Sequence, residues 1–395
     1  MQPQLNIRPE IAALEQKMIA WRRHFHQHPE TGFQEHETGR YIVEQLQSLD
    51  AEITHPVAQT GVVALMRNGD GPCIALRADM DALAIQETND VPYISVNDGA
   101  MHACGHDAHM AILLGTATAL DQMRDQWRGT IKLIFQPGEE GFAGAQHMVE
   151  AGVLNNPQVD AIFGLHVWNY QPFGTVGVKS GPILAAADEF EIIVRGKGGH
   201  GAVPQLAVDT IQVAAQLIVA LQTIISRNLD PLESGVVSIC QIQGGSTFNV
   251  LPEEVKLKGT ARAMREADRL LIKRRLGEIC RGVAETYGAD ISCDYHDSYP
   301  PTVNDPEMAQ IAAGAAREVI GDGPLQPYMT MGGEDFAFFL REVPGCFFFV
   351  GSARPEHQEN PAPHHCAHFD IDERAMAVGG SILLNIAQQY LSTSK

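Results

Sequence analysis

The stretch FEIIVRGKGGHGAVPQLAVDTIQVAAQLIVALQTIIS, residues 190–226, passes from an apolar run through a glycine-rich turn into a long apolar-faced helix. Residues 190–195 are strand-like, and 208–226 place apolar side chains at helical spacing. Downstream, 235–241 and 255–260 are strand-like, 266–287 is helical, and 291–295 supplies a further strand. The order β-α-β-β-α-β is that of a ferredoxin-like split sandwich. It begins near Gly181-Pro182, and Tyr299-Pro-Pro301 marks the return crossing, because consecutive prolines favour an extended link.

Outside this unit, 11–21 and 37–49 have helical spacing, followed by strand-like 61–66 and 73–77. A helical stretch at 109–120 precedes strands at 130–135 and 161–166. After the return come a helix at 306–319, a strand at 346–350 and a closing helix at 373–391. Helices alternating with apolar strands imply an α/β core with a helix-covered sheet, whose chemistry collects in loops beyond strand ends. The chain has 395 residues, beyond the roughly 250–300 at which single cores stop growing. The expected organisation is one α/β domain of 1–182 and 300–395, interrupted by an inserted α+β domain at 183–299.

The formal charge is −20, from 28 basic and 48 acidic residues. Such a surface repels nucleic acid and anionic membrane, which are held chiefly through Lys and Arg. The N-terminal MQPQLNIRPEIAALEQK lacks the apolar stretch of a secretory signal, and no uninterrupted apolar run is long enough to cross a bilayer. Seven scattered cysteines are not a disulfide framework and fit a reducing compartment, so a cytoplasmic location is expected.

Four segments carry candidate metal chemistry. MHACGHDAH at 101–109 offers Cys104, His106 and further imidazoles just before a helix. Thiolate and imidazole together suit zinc and similar ions, and an extended backbone would point Cys104 and His106 to one side. FQPGEE at 135–140 ends a strand on Glu139 and Glu140. On an extended chain these face opposite ways, one toward a metal and its neighbour toward solvent or substrate, as metal-assisted hydrolysis requires. His166 closes the apolar run AIFGLH, and PHHCAHFD at 363–370 holds three histidines. Singly, each has an ordinary structural explanation. Jointly they supply a thiolate, imidazoles and carboxylates from four separate loops, and coincidence becomes the weaker explanation. GKGGHGAVP at 196–204 leaves His200 little neighbouring bulk; it lacks the glycine spacing and the Ser or Thr of a phosphate loop, so nucleotide binding is discounted.

These segments, with RRHFHQHPE at 22–30, RADMDAL at 77–83 and Ile371-Asp-Glu373, closely resemble the aminoacylase and glutamate-carboxypeptidase superfamily of dinuclear metallohydrolases. The nearest branch holds hippurate hydrolases, N-acyl-amino-acid deacetylases and auxin-conjugate hydrolases, and the resemblance spans nearly the whole chain. It implies a mixed-sheet metallopeptidase-like catalytic domain with an inserted ferredoxin-like lid that serves dimerisation. It further implies that Cys104, His106, Glu140, His166 and His365 bind two divalent ions (Zn, Mn, Co or Ni) and that Glu139 is the general base. His365 is preferred to His364 because it keeps the family spacing to Phe369 and Asp370. His200, presented from the lid and in such families often to a partner's metals, would steady the oxyanion, with Asn249 and Arg262 lining the substrate site. Ala84 and Cys366-Ala367 depart from prolines common in the family and alter loop shape.

The expected activity is hydrolysis of small N-acyl amino acids, by Glu-assisted attack of metal-activated water, in a homodimer or homotetramer. A small-peptide dipeptidase of the same superfamily is the alternative. A cysteine hydrolase using Cys104 would leave Glu139, Glu140, His166 and His365 without roles, and a non-enzymatic metal-binding protein would be expected to have lost Glu139 or His200, both of which are intact.

Overall fold

The structure, a computed structural model, describes residues 5–354 and 361–392. It forms two compact units: one holds the chain up to Gly181, Val303–Met329 and Asp335 onward, the other Pro182–Thr302 and Thr330–Glu334. The junctions expected from sequence differ from these by one residue at the first crossing and three at the second. Segment 330–334, which the sequence assigns to the flanking domain, lies instead with the inserted unit. Backbone pairing explains it: Thr330 N–H donates to Ile183 O at 2.9 Å and Ala185 N–H to Gly332 O at 3.0 Å.

The first unit contains strands β1 (Glu52–Val57), β2 (Gly61–Asn68), β3 (Cys73–Asp79), β4 (Gly129–Gln136), β5 (Ala161–Pro172) and β6 (Val176–Gly177). The second supplies β7 (Ala186–Arg195), β8 (Gly235–Gly244), β9 (Glu254–Ala263) and β10 (Asp290–Tyr299), and the chain returns with β11 (Leu325–Gln326) and β12 (Gly345–Ala353). The main helices are α1 (Glu15–Gln27), α2 (His36–Leu46), α3 (His106–Gln122), α4 (Thr210–Leu221), α5 (Glu266–Tyr287), α6 (Pro306–Ile320) and α7 (Ala375–Ser392).

In the first unit an eight-stranded mixed sheet has the order β1-β2-β4-β3-β5-β12-β6-β11. The pairs β4–β3, β3–β5 and β5–β12 are parallel. Every residue of β3, β4 and β12 is buried, as expected of strands covered on both faces. α3 is buried almost all round, with α1 and α7 packed on it and α6 on α7. Strand β1 was not legible in the sequence: it is a largely exposed edge strand with no apolar alternation. The helix expected at 11–21 is instead α1, set off from a short turn at Pro9–Ala12.

β5 does not end at His166. Its pairing with β3 stops at Arg77↔Gly164, but its pairing with β12 continues through Phe349↔His166 and Gly351↔Trp168. His166 therefore stands in mid-strand, just past the level at which its neighbour β3 has run out. That step leaves room beside the strand for the loops that carry the other candidate ligands.

The second unit is a four-stranded antiparallel sheet of order β8-β9-β7-β10, the ferredoxin-like arrangement. Phe190, Ile192 and Val194, alternate residues of β7, pack against Val213 and Leu217 of α4 and Ile272 and Leu276 of α5 in a core of its own. Asp209 caps α4 by accepting from Ile211 N–H and Gln212 N–H. The helical stretch Thr210–Asn228 is long and apolar enough, by length and composition, to cross a bilayer, which the sequence reading did not flag. Five of its residues, from Val213 to Ile224, lie in the unit's core.

Candidate metal centre

The floor of the site is a buried charge network at the end of β3. Arg77 donates through Nη1 to Asp79 Oδ2 at 2.8 Å, through Nε to Gln136 Oε1 at 2.7 Å and through Nη2 to Asp335 Oδ1 at 3.0 Å. Asp79 Oδ1 lies 2.6 Å from His109 Nδ1. Val167 N–H donates to His109 Nε2 at 2.9 Å, so the His109 proton sits on Nδ1 and is given to Asp79. Although burial opposes it, His106, His109 and Arg77 hold the Asp79 carboxyl well below its ordinary range. Asp81 accepts the backbone N–H groups of Glu139 at 3.0 Å and Glu140 at 2.9 Å, which fixes the turn after β4.

That turn is not extended. Gly138 is left-handed at φ +61° and Glu140 leaves helical geometry, so both carboxylates converge on His106 instead of facing opposite ways. The extended spacing expected of Cys104 and His106 is likewise replaced. Gly105 between them is left-handed at φ +95° and caps α3, and that bend brings the thiol and the imidazole together.

Ligand atoms of Cys104, His106 and His166 all lie within 4.8 Å of one another, as do those of Cys104, Glu140 and His365, and of His106, Glu139 and Glu140. The first two trios share Cys104. Cys104 Sγ is 3.4 Å from His166 Nε2, and His365 Nε2 is 3.1 Å from Glu140 Oε1. His166 Nδ1 lies 2.6 Å from Val167 O and His106 Nδ1 2.8 Å from Asp81 O, so each ring anchors one nitrogen on backbone and offers Nε2 to the site. His106 Nε2 is buried without a hydrogen-bond partner among the described residues, and buried Glu140 Oε1 lies close to His365 Nε2 without an aligned hydrogen bond. Orphaned buried donors of mixed soft and hard character, in trios at this spacing, fit metal ions.

The charges agree. Burial pushes His106 down, but Asp79, Asp81 and Glu140 overcome it and hold the imidazole up to about 10. Burial, with Glu140, Glu139 and Asp79, pushes the Cys104 thiol well above its ordinary value. A cysteine nucleophile needs the opposite environment. A cation entering this pocket would relieve both groups.

His364 is close to the site but differently used. Its Nε2 accepts Asn169 N–H at 3.1 Å, leaving the Nδ1 proton directed at Cys104 Sγ at 3.9 Å. His365, left-handed at φ +63° and tied through its N–H to Ala103 O, is the one that reaches Glu140.

Gly105 is a position where a side chain cannot be accommodated. A Cβ there would meet Val167 Cγ2 at 2.4 Å, and the backbone conformation is one that L side chains rarely adopt. Gly105→Ala is therefore expected to cost about 1–3 kcal/mol and to lower metal content, read by thermal melting and elemental analysis. A variant with unchanged melting temperature and full metal content would contradict this.

In the second unit, His200 pairs with Val250 in a two-stranded ribbon, and Gly201 N–H donates to Asn249 O at 2.8 Å, so His200 and Asn249 are neighbours on an exposed turn. His200 Nδ1 accepts Ala202 N–H at 3.0 Å. Arg262, half-buried on β9, donates through Nε to Thr260 Oγ1 at 3.1 Å. Burial lowers its guanidinium below the ordinary value despite Asp188.

The residues that sequence reasoning left without roles are Asp79, Asp81, His109, His364 and Asp335. A charged run inside a fully buried strand, Arg77-Ala-Asp79, was the available signal for the first. His109, three residues after His106 on a helix, was another. Asp335 reaches Arg77 across 258 residues of sequence and had no local sign.

The profile of peptidase family M20/M25/M40 matches residues 75–389. An N-acetylcysteine deacetylase of Bacillus subtilis (strain 168) is 40% identical, covering 97% of this chain and 99% of its own length. An IAA-amino acid hydrolase of Arabidopsis thaliana is 39% identical over 95% of this chain and 86% of its own. The crystal structure of Bacillus subtilis YXEP, described as a dinuclear metal binding peptidase from the M20 family, superposes with a TM-score of 0.84 at 37% identity, covering 97% of this chain and 99% of that one. With relatives of this kind along nearly its whole length, the chain belongs to peptidase family M20/M25/M40 and is a hydrolase acting on amide bonds.

Proposed function

We propose that the protein is a two-metal amidohydrolase that splits small N-acyl amino acids into a carboxylic acid and a free amino acid. The observation that carries this is the pair of ligand trios sharing Cys104, with Glu139 within reach of His106. Cys104, His106, Glu140, His166 and His365 would hold two divalent ions, zinc, manganese, cobalt or nickel. Such ions, when bound, polarise a carbonyl and acidify water.

The remaining work falls to the chain. Glu139, its backbone pinned by Asp81, takes a proton from the attacking water and delivers it to the departing amine nitrogen. His364 directs its Nδ1 proton at Cys104 Sγ and favours the thiolate. His200 donates to the developing oxyanion, while Asn249 and Arg262 hold the substrate, Arg262 by pairing with its carboxylate. The working form is a homodimer or homotetramer; the exposed end of edge strand β8, where Ile242 is 56% exposed, supports pairing between copies.

The test is a panel of N-acetyl, N-benzoyl, N-succinyl and indoleacetyl amino acids with simple dipeptides, offered to the metal-loaded protein. Turnover of N-acyl amino acids well above dipeptides is expected. Dipeptides alone as substrates would replace this proposal with the dipeptidase reading.

A further inference from the structure

Beyond His166, β5 continues for six residues to Pro172. Alternation along a strand places His166, Trp168 and Tyr170 on one face, so two aromatic side chains follow a candidate metal ligand in a row. Trp168 is 5.3 Å, ring to ring, from His166 and stacks on His364 at 4.6 Å. Tyr170 is 5.2 Å from Trp168 and 5.5 Å from His364. Buried Phe349, 4.9 Å from the indole, and Tyr328, at 6.1 Å, back the wall from behind the strand's neighbour.

Three features mark this wall as more than core. Tyr170 is 50% exposed and Trp168 half-buried, so the aromatic surface is open while starting at the ligand set. Trp168 Nε1 is buried and has no hydrogen-bond partner among the described residues, an uncompensated cost that a phenylalanine filling the same space would avoid. Such local violations are retained where function needs them. Last, the wall is built from the uncharged rings of Trp168, Tyr170, Tyr328 and Phe349. No Lys or Arg is stacked on Trp168, Tyr170 or Tyr328 among the described residues.

We infer that Trp168 and Tyr170 form the acyl-side specificity surface and select a planar aromatic acyl group over acetyl. The inference rests on the N-acyl amino acid reading of the metal centre. With the scissile carbonyl at the metals, one half of the substrate must lie along β5. The amino-acid half carries a carboxylate, which a neutral aromatic wall beside an acidic pocket does not hold. The uncharged acyl half fits, and ring-on-ring contact favours a flat group.

The test compares kcat/KM for N-benzoyl and N-acetyl forms of one amino acid in the metal-loaded full chain. Wild type is expected to prefer benzoyl by about tenfold or more, a difference of the size apolar pockets achieve. Trp168→Ala should reduce that ratio about fivefold or more and Tyr170→Ala about threefold, while Trp168→Phe keeps it within about twofold. Using the ratio removes any common loss from weaker metal binding, and the half-exposed Tyr170 serves if Trp168→Ala does not fold. Binding gives a second readout: of the three tryptophans, Trp21 and Trp127 are buried, so benzoate should quench indole fluorescence in wild type and not in Trp168→Phe. Turnover of both substrates with a ratio unmoved by Trp168→Ala and Tyr170→Ala would overturn the inference. Turnover of neither would instead overturn the amidohydrolase reading beneath it.

Discussion

Exchanging Glu139 for glutamine is expected to lower turnover by roughly 10²- to 10⁴-fold, the usual worth of a positioned general base, while metal content stays that of wild type. The residue is buried, its backbone is fixed by Asp81, and its carboxylate lies with that of Glu140 near His106. Glutamine preserves the shape and the backbone hydrogen bond and removes only the basic oxygen. Elemental analysis and single-turnover kinetics separate the outcomes. Near-normal turnover would remove Glu139 from the role, and loss of metal would show that Glu139 and Glu140 exchange assignments. The same variant probes His200. If His200 serves a partner's site, mixing Glu139→Gln and His200→Ala subunits should restore about a quarter of wild-type activity, since random exchange makes about half the dimers mixed, each with one intact site. Demonstrated exchange with no recovery would place His200 in its own chain's site or outside catalysis.

Chelation is expected to abolish hydrolysis, and an added transition ion to restore it. Full activity in protein shown by elemental analysis to be free of metal would end the two-metal reading. Loading should also depend on pH in a definite direction. In the metal-free protein His106 keeps its proton up to about 10 and Cys104 keeps its own above the ordinary thiol range. Both protons must leave for the ligands to bind, so affinity should rise with pH between about 6 and 9. Calorimetry in buffers of different ionisation enthalpy counts the protons released, and a count of zero would exclude these two groups as ligands. The folding of the metal-free protein should run the other way. A folded pKa raised above the ordinary value gives His106 a stabilising contribution that is full below about 6.5 and is lost as pH rises through about 10.

Much of this architecture was legible in the sequence because long elements announce themselves. Strands 190–195 and 255–260, with the helix at 266–287, carried their periodicity plainly, and the four-stranded order followed from the pattern. What the sequence hid was short or exposed. Segment 330–334 joins the inserted unit through two backbone hydrogen bonds that no side-chain pattern records. The run of β5 past His166 depends on a partner, β12, lying far along the chain. In the site, residue types were legible and geometry was not. Cys104 and His106 do face one pocket, but through the bend at Gly105, not through an extended chain, and Glu139 and Glu140 converge where alternation would part them. Asp335 illustrates the remainder: its place is set by three-dimensional closure of the sheet network, for which nearby residues give no sign.

The histidines around β5 are sorted by its main chain. Val167 N–H engages His109, Asn169 N–H engages His364, and Val167 O holds His166. Because these anchors belong to the peptide groups, point substitutions at 167 can accumulate without disturbing which imidazoles keep a lone pair for the site. A one-residue insertion or deletion in the strand cannot be absorbed that way, since it would hand each amide to the wrong ring. Position 167 should therefore tolerate changes of side chain where the strand does not tolerate changes of length, and substitutions at 167 set beside single-residue insertions and deletions through 166–170 should show that asymmetry directly.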